Sequence, residues 1–290
     1  MRYFNMNAKP FIKWAGGKTQ LLPFIRLKYP RKIKRYCEPF IGGGAVFFDI
    51  ISTFQPEEIL VNDINVRLIN AYQQLKNNSD NLISELLKLQ EKYWSLSEDE
   101  RKIFYIEQRK NFNTSSDNLQ SAILFIFLNK TCFNGLYRVN KKGAFNVPIG
   151  SYKNPLVCDA ENLKIVSEHL QSITFKCGDF SECSDFIQQD TFVYLDPPYR
   201  PLEKSSFTAY DSSYFNDSEQ CRLADFFKNA DNKGAKVLMS NSDPKNTDEN
   251  DDFFDKLYES FNIERVVAKR SINSNGKGRG NINELLISNY

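Results

Sequence analysis

The sequence predicts an α/β fold, a largely parallel sheet whose chain is interrupted by a mostly helical insert. Three observations predict it. The first 76 residues alternate short apolar runs with helical periodicity; the chain changes character from about residue 77 to residue 154; the strand-and-helix rhythm then resumes to residue 290.

In order, Tyr36 to Ile41 is apolar, runs into Gly42-Gly43-Gly44 and continues as Ala45 to Ile51, which reads as strand, tight turn, helix. Ile59-Leu60-Val61 is a second strand ending at Asn62-Asp63, and Leu68, Ile69, Tyr72 and Leu75 follow at helical spacing. In the insert, Leu82, Ile83, Leu86, Leu87 and Tyr93 mark one amphipathic helix, and Ser97 with Glu100 forms a capping box for another. Ser115-Ser116-Asp117 opens an apolar helix through Leu128. Leu136 to Asn140, a Lys141-Lys142-Gly143 turn and Ala144 to Ile149 then read as a β-hairpin. A helix over Asp159 to Gln171 leads back to the sheet. Strands follow at Ile173 to Cys177, Thr191 to Leu195 and Ala235 to Ser240, with a closing pair, Ile263 to Lys269 and Glu284 to Asn289. The run Asp243 to Asp252 is an acidic, turn-rich loop.

Composition narrows the function. Of 290 residues, 41% are hydrophobic and 26% charged, which are globular values. A chain of this length buries about 75% of its unfolded surface and needs no staple. The longest apolar run, Ala122 to Leu128, is far short of a membrane span, and Met1 to Pro10 shows no secretory signal, so a cytoplasmic protein is expected. The 6 cysteines form no C-x-x-C pair and read as reduced packing thiols. One histidine, His169, reads as a surface residue near a helix end. It cannot build a multi-histidine metal site, so no metal is expected. The net charge of +2 says little, but Lys9, Lys13 and Lys18, then Arg138, Lys141 and Lys142, then Lys269, Arg270, Lys277 and Arg279 gather beside glycines or aromatics, where they can meet phosphates.

Glycines between strand and helix at Pro39 to Gly44 let backbone approach a ligand, with helix N–H groups aimed at it. Asp63, about 20 residues on at a strand end, is where an acid grips ribose hydroxyls. A plain tight turn accounts for the glycines equally well, and Phe47 replaces the third glycine of the dinucleotide fingerprint. Trp14 to Thr19 is not a phosphate loop, because the glycine required at position 12 is Ile12. Asp196-Pro197-Pro198-Tyr199 is the most informative segment. At the C-terminal end of a parallel strand, two prolines fix the backbone and remove two N–H donors. A carboxylate and a rigid carbonyl can then accept both hydrogens of an exocyclic amine and aim its lone pair at an electrophile. Tyr199 offers a base a flat surface for stacking.

The segments Lys13 to Lys18, Glu38 to Gly44, Asn62-Asp63-Ile64-Asn65 and Asp196 to Tyr199, in this order, resemble the Dam-type (D12 class) family of S-adenosylmethionine-dependent DNA adenine-N6 methyltransferases. The likeness extends through Asn129 to Tyr152 and Phe207-Thr208-Ala209-Tyr210. The resemblance implies a Rossmann-like methyltransferase sheet formed by residues 1–76 and 155–290, with a target-recognition insert over 77–154 that carries the hairpin. It implies cofactor contacts at Trp14, Lys18, Phe40, Gly42, Gly44, Asp63, Asp179, Phe180 and Asp196, and catalysis at Asp196, Pro197, Pro198 and Tyr199. For DNA it implies Lys13 at the outer base pair, Phe133 and Asn134 at the gap left by a flipped adenine, and base reading or support by Leu136, Arg138, Pro148 and Tyr152. Arg138 corresponds to a guanine-reading arginine, a contact worth about 1–3 kcal/mol of discrimination. Phe133 stands where some relatives carry tyrosine. Double-stranded DNA with a GATC target is the implied substrate, and a cognate restriction endonuclease is a partner the resemblance leaves open.

Other readings remain. An RNA adenine or other exocyclic-amine methyltransferase would use the same acceptor geometry, although protein-amide enzymes typically carry Asn where Asp196 stands. A non-catalytic nucleic-acid module would not need the glycine turn, Asp63 and the proline pair together. An NAD-linked oxidoreductase is the weakest alternative.

Overall fold

The computed structural model describes residues 8–200, 215–269 and 281–290. The Phe207 to Tyr210 motif, Arg270, Lys277 and Arg279 lie outside them. The chain divides into two compact units, and each interleaves distant segments.

The first unit combines Met1–Gly17, Gly42–Thr53 and Asp63–Gly178. It contains α2 (Ala45–Thr53), α3 (Val66–Asn77), α4 (Ser79–Ser95), α5 (Glu98–Thr114), α6 (Asn118–Thr131), α7 (Ala160–Leu170) and strand β3 (Ile173–Cys177). Caps set the helix starts: Asn65 accepts from the N–H groups of Arg67 and Leu68, Asp117 from Gln120, and Ser97 with Glu100 forms the expected capping box. Helix α6 is buried without interruption from Ser121 to Asn129, because α3, α4 and α5 pack around it. A helix apolar on every side belongs in a core.

One expectation in this unit is met over a shorter span than the sequence suggests, and one needs correction. The segment after α6 closes into a hairpin on a short ladder: Val139 bridges Phe145, Asn140 N–H donates to the Ala144 carbonyl at 2.9 Å, Asn146 N–H donates to the Arg138 carbonyl at 3.1 Å, and a second bridge joins Cys132 to Ile149. The turn does form, with Gly143 at φ +74° and its N–H on the Asn140 carbonyl. The outward edge of the second arm is covered by side chains of α5. Asn113 bonds both the N–H and the carbonyl of Phe145, at 2.8 and 3.0 Å, and the Tyr105 hydroxyl and Arg109 donate to the Val147 carbonyl. These side chains satisfy the outward backbone groups as a ladder would. His169, in the last turn of α7, is half-buried rather than at the surface.

The second unit combines Lys18–Ile41, Phe54–Asn62 and Asp179–Tyr290. It holds α1 (Leu22–Leu27), β1 (Arg35–Glu38), β2 (Glu58–Asp63), β4 (Thr191–Leu195), α8 (Asp217–Asn232), β5 (Lys236–Ser242), α9 (Phe253–Leu257), β6 (Asn262–Lys269) and β7 (Asn281–Ser288). Its strands run in the order β2-β1-β4-β5-β7-β6. Strand β1 is parallel to β2 and β4, β4 is parallel to β5, and β7 is antiparallel to both β5 and β6. Every residue of β4 is buried, as a central strand covered on both faces requires. Its ladder ends at Leu195, and Pro197, two residues on, has no N–H with which to extend it. Helix α8, capped by Asn216, buries Leu223, Ala224, Phe226, Phe227 and Ala230 against the sheet.

Candidate active site and nucleic-acid interface

In the second unit the loops after β1 and β4 leave the C-terminal edges of neighbouring parallel strands, the edge where open α/β sheets bind ligands. Asp196 lies on that edge, with Lys18 Nζ 2.7 Å from its Oδ1. The Ser240 hydroxyl reaches the same oxygen at 3.2 Å and lies 2.9 Å from the Tyr194 hydroxyl. Burial pushes the Asp196 carboxyl above the usual aspartate range, and the Lys18 ammonium and Ser240 pull against that shift. Lys18 is 5% exposed, so this pair stands largely out of water.

The remainder of the tetrad is clamped. Gln220 Nε2 donates to the Pro198 carbonyl at 3.2 Å, and Asn241 holds the Gln220 amide in turn. The Tyr199 hydroxyl donates to Glu284 Oε2 at 2.8 Å, and Lys18 Nζ sits 4.6 Å above the Tyr199 ring. Burial, with the negative charges of Asp196 and Glu284, drives the Tyr199 hydroxyl well above its ordinary pKa, so it stays a neutral donor. Arg200, the next residue, is pinned by Asp217 and Asp251 and covers the Phe253 ring at 4.4 Å.

Along the same edge Phe40, Phe180 and Phe215 form an aromatic cluster, with Phe40 and Phe180 5.5 Å apart. Asp179 caps the turn beginning at Phe180 by accepting from Ser181. Both of its carboxylate oxygens also take Arg222, at 2.8 and 2.7 Å, and the Arg222 guanidinium lies 4.4 Å over Phe180. These bonds hold the Asp179 carboxyl well below the carboxylate range.

In the first unit, Gly42 (φ +47°) and Gly44 (φ +73°) take left-handed backbone. Asp63 ties this turn to the start of α3, because Oδ2 accepts from Gly42 N–H at 3.0 Å and Oδ1 from Asn65 N–H at 2.9 Å. Burial raises its pKa against those backbone donors. Trp14 lies against the glycines and stacks on Tyr137 at 5.8 Å. Ile64, beside Asp63, is 72% exposed.

The implied DNA-contacting residues also gather in this unit. Asn129, buried on α6, bonds both the N–H and the carbonyl of Lys13, at 2.8 and 2.7 Å, and the carbonyl of Gly135 at 3.1 Å. It thereby joins Lys13 to the Phe133–Gly135 turn. Lys13 Nζ stands 4.0 Å over the Tyr152 ring. Phe133 is exposed, its N–H bonds the carbonyl of exposed Pro148, and Asn134 is left-handed at φ +54°. Leu136 is half-buried. Arg138 is exposed, and Asn146 holds its Nε at 2.8 Å.

The sequence reading did not single out Ser240, Glu284, Gln220, Arg222, Asn129 or Asn146. Each acts on a named residue from a distant part of the chain or across a turn, and no local spacing signals that.

A parallel sheet that delivers a proline-stiffened carboxylate and an aromatic ring to one edge defines an α/β enzyme that acts on a planar polar group. Comparison with known proteins gives its family: the chain belongs to the D12 class N6 adenine-specific DNA methyltransferases, which match residues 14–272. It is 50% identical to the type II methyltransferase M.MjaIII of Methanocaldococcus jannaschii over 98% of this chain and 100% of that one. It is 40% identical to the type II methyltransferase M1.LlaDCHI of Lactococcus lactis (98% and 96%). It is 39% identical to a DNA adenine methylase of Vibrio cholerae (96% and 95%). The chain is therefore an adenine-specific DNA methyltransferase, acting at adenine N6.

Proposed function

We propose that the protein takes its methyl group from S-adenosylmethionine and places it on the N6 of an adenine flipped out of duplex DNA, within GATC. The observation that carries this reading is the Asp196-Pro197-Pro198-Tyr199 edge. Pro198's carbonyl is taken by Gln220, so the carbonyl available beside the Asp196 carboxylate is that of Pro197. Together they accept the two N6 hydrogens and turn the nitrogen lone pair outward. Lys18 favours the ionised carboxylate, the form that accepts, against the burial that raises its pKa. When bound, S-adenosylmethionine supplies an electrophilic methyl on a sulfonium sulfur. As the N6–carbon bond forms and the sulfur–carbon bond breaks, the nitrogen becomes acidic and releases one proton to water or Asp196, so no strong base is needed. Holding the amine and the methyl in line can lower the barrier by about 7–11 kcal/mol.

The residues fit the cofactor. A side chain at Gly42 would meet the Trp14 indole 2.8 Å away, so this turn presents bare backbone. Trp14, Lys18, Phe40, Gly42, Gly44, Asp63, Asp179, Phe180 and Asp196 are assigned to holding it, with Phe40 and Phe180 offering flat apolar surface to its purine. Residues 77–154 are assigned to reading DNA. Lys13, Phe133, Asn134, Leu136, Arg138, Pro148 and Tyr152 face the duplex, and Phe133 and Asn134 fill the stack that the adenine leaves. Arg138, held by Asn146 at Nε and, at 3.4 Å, at Nη2, is assigned to guanine O6 and N7.

Two relatives named type II methyltransferases support a restriction–modification setting with a cognate endonuclease. No helix among the described residues is long and apolar enough to cross a membrane, and the cytoplasm is the proposed compartment because the DNA is there.

Radiolabelled methyl transfer to GATC-containing and GATC-free duplexes, with RNA as control, tests the reading. Label should enter only the GATC duplex, and Asp196→Ala should abolish transfer while duplex binding survives. Equal labelling of RNA, or an active Asp196→Ala protein, would overturn it.

A further inference from the structure

We infer that Glu284 is a positioning residue for the target base, acting through the hydroxyl of Tyr199. The inference rests on the proposed base pocket at Tyr199. Glu284 sits near the start of β7, paired with Ser242 of β5 on one side and Val266 of β6 on the other. Two ladders fix its backbone, and its half-buried side chain reaches Tyr199 at 2.8 Å. It lies beyond the 14–272 span that matches the family.

A phenol ring attached by a flexible Cβ can turn about two bonds, and a stacking surface is useful only if its plane is set beforehand. In this structure the plane is set at two points. Lys18 Nζ covers one face at 4.6 Å, and Glu284 holds the far end of the ring through the hydroxyl. With one face occupied by the ammonium, the opposite face is assigned to the base. Asp196 also pairs with Lys18, so the acceptor and the stacking surface share one cation. A tilt of Tyr199 therefore disturbs Lys18 and the orientation of the amine as well. Without Glu284, the base is still extruded but is held less well, and the defect appears in turnover more than in duplex affinity.

The test is a double-variant cycle on the full chain, using Glu284→Ala, Glu284→Gln, Tyr199→Phe and the Glu284→Ala/Tyr199→Phe pair. kcat and KM for a GATC duplex are measured at saturating S-adenosylmethionine, together with fluorescence of 2-aminopurine placed at the target adenine. Loss of a bond to a charged acceptor predicts a fall in kcat of about 10-fold or more for Glu284→Ala and Tyr199→Phe alike, with KM nearly unchanged. Glu284→Gln keeps an acceptor oxygen and should recover most of the rate. In the Tyr199→Phe background, Glu284→Ala should cost less than about 2-fold more, since the shared bond is already gone. 2-Aminopurine should still brighten in every variant, with an altered final intensity.

Independent, multiplying losses in the pair, or a Glu284→Ala protein with wild-type kcat, would overturn the inference. A wild-type protein that left duplex adenine unmethylated would instead sink the functional reading beneath it. Tyr199→Phe and Glu284→Gln change one polar group each, so they carry the test even if Glu284→Ala folds poorly.

Discussion

Gly42 has no room for a methyl group. Its φ of +47° is a conformation that alanine adopts only under strain, and a Cβ would lie 2.8 Å from the Trp14 indole. Gly42→Ala should therefore destabilise the protein by at least about 1–2 kcal/mol, read as a lower melting midpoint. An unchanged melt would mean that Trp14 moves aside at no cost. Ser240 gives a pH test. Asp196 must be ionised to accept, its carboxyl already titrates above the ordinary aspartate range, and Ser240 is one of the groups pulling it down. Activity should fall as pH drops through that folded-state pKa. Ser240→Ala, which removes a bond favouring the charged form, should move the acid limb of kcat upward. A stationary limb would remove Ser240 from the argument. The thiols divide by burial. Cys132 and Cys158 are pushed up to about 11 by desolvation, whereas Cys177 and Cys221 are exposed. Iodoacetamide at neutral pH should label Cys177 and Cys221 of the native protein and spare the other four, as counted by mass spectrometry. The proline pair and the glycine run were readable because prolines and glycines constrain backbone locally. The partners Ser240, Glu284 and Arg222 were not, because hydrogen bonds across tens of residues leave no mark on spacing.

Helices and strands were legible where one period dominated. The α6 run, the five-residue β4 and the Ser97–Glu100 cap stand in the structure as the sequence reads them. Helix α8 went unread although Leu223, Ala224, Phe227 and Ala230 recur at helical spacing behind the Asn216 cap, because charged residues dilute that stripe. The hairpin forms over a shorter span than its alternation suggests. Alternation over Leu136 to Ile149 is real and Val139 pairs with Phe145, but Asn113, Tyr105 and Arg109 of α5, rather than a further strand, take the outward backbone groups of Phe145 and Val147. Asn113→Ala removes both bonds to Phe145 at once and should loosen the segment that presents Arg138. Binding titrations should show weaker affinity for the GATC duplex and a narrower gap to non-target duplex. A variant with intact discrimination would show that Val139–Phe145 pairing alone suffices.

A net charge of +2 cannot by itself hold a polyanion, so binding depends on where the cations lie. Arg138, Lys141, Lys142 and Lys13 are all exposed on the first unit. Lys142→Ala should weaken all duplexes uniformly and lower the slope of log affinity against log salt by about 0.9, while Arg138→Ala should relax selectivity at one guanine. A Lys142→Ala protein with altered sequence preference would reverse these roles. The strand order of the second unit has a further consequence. Among the described residues, strand β6 is bonded to β7 alone, and β7 also closes the side of β5 away from β4. A chain clipped before Asn281 would therefore lose one strand but bare two: β6 would be stranded without a partner, and β5 would offer unpaired amides and carbonyls to any passing extended segment. Such a clipped protein should be lost to self-association before its chemistry could be measured.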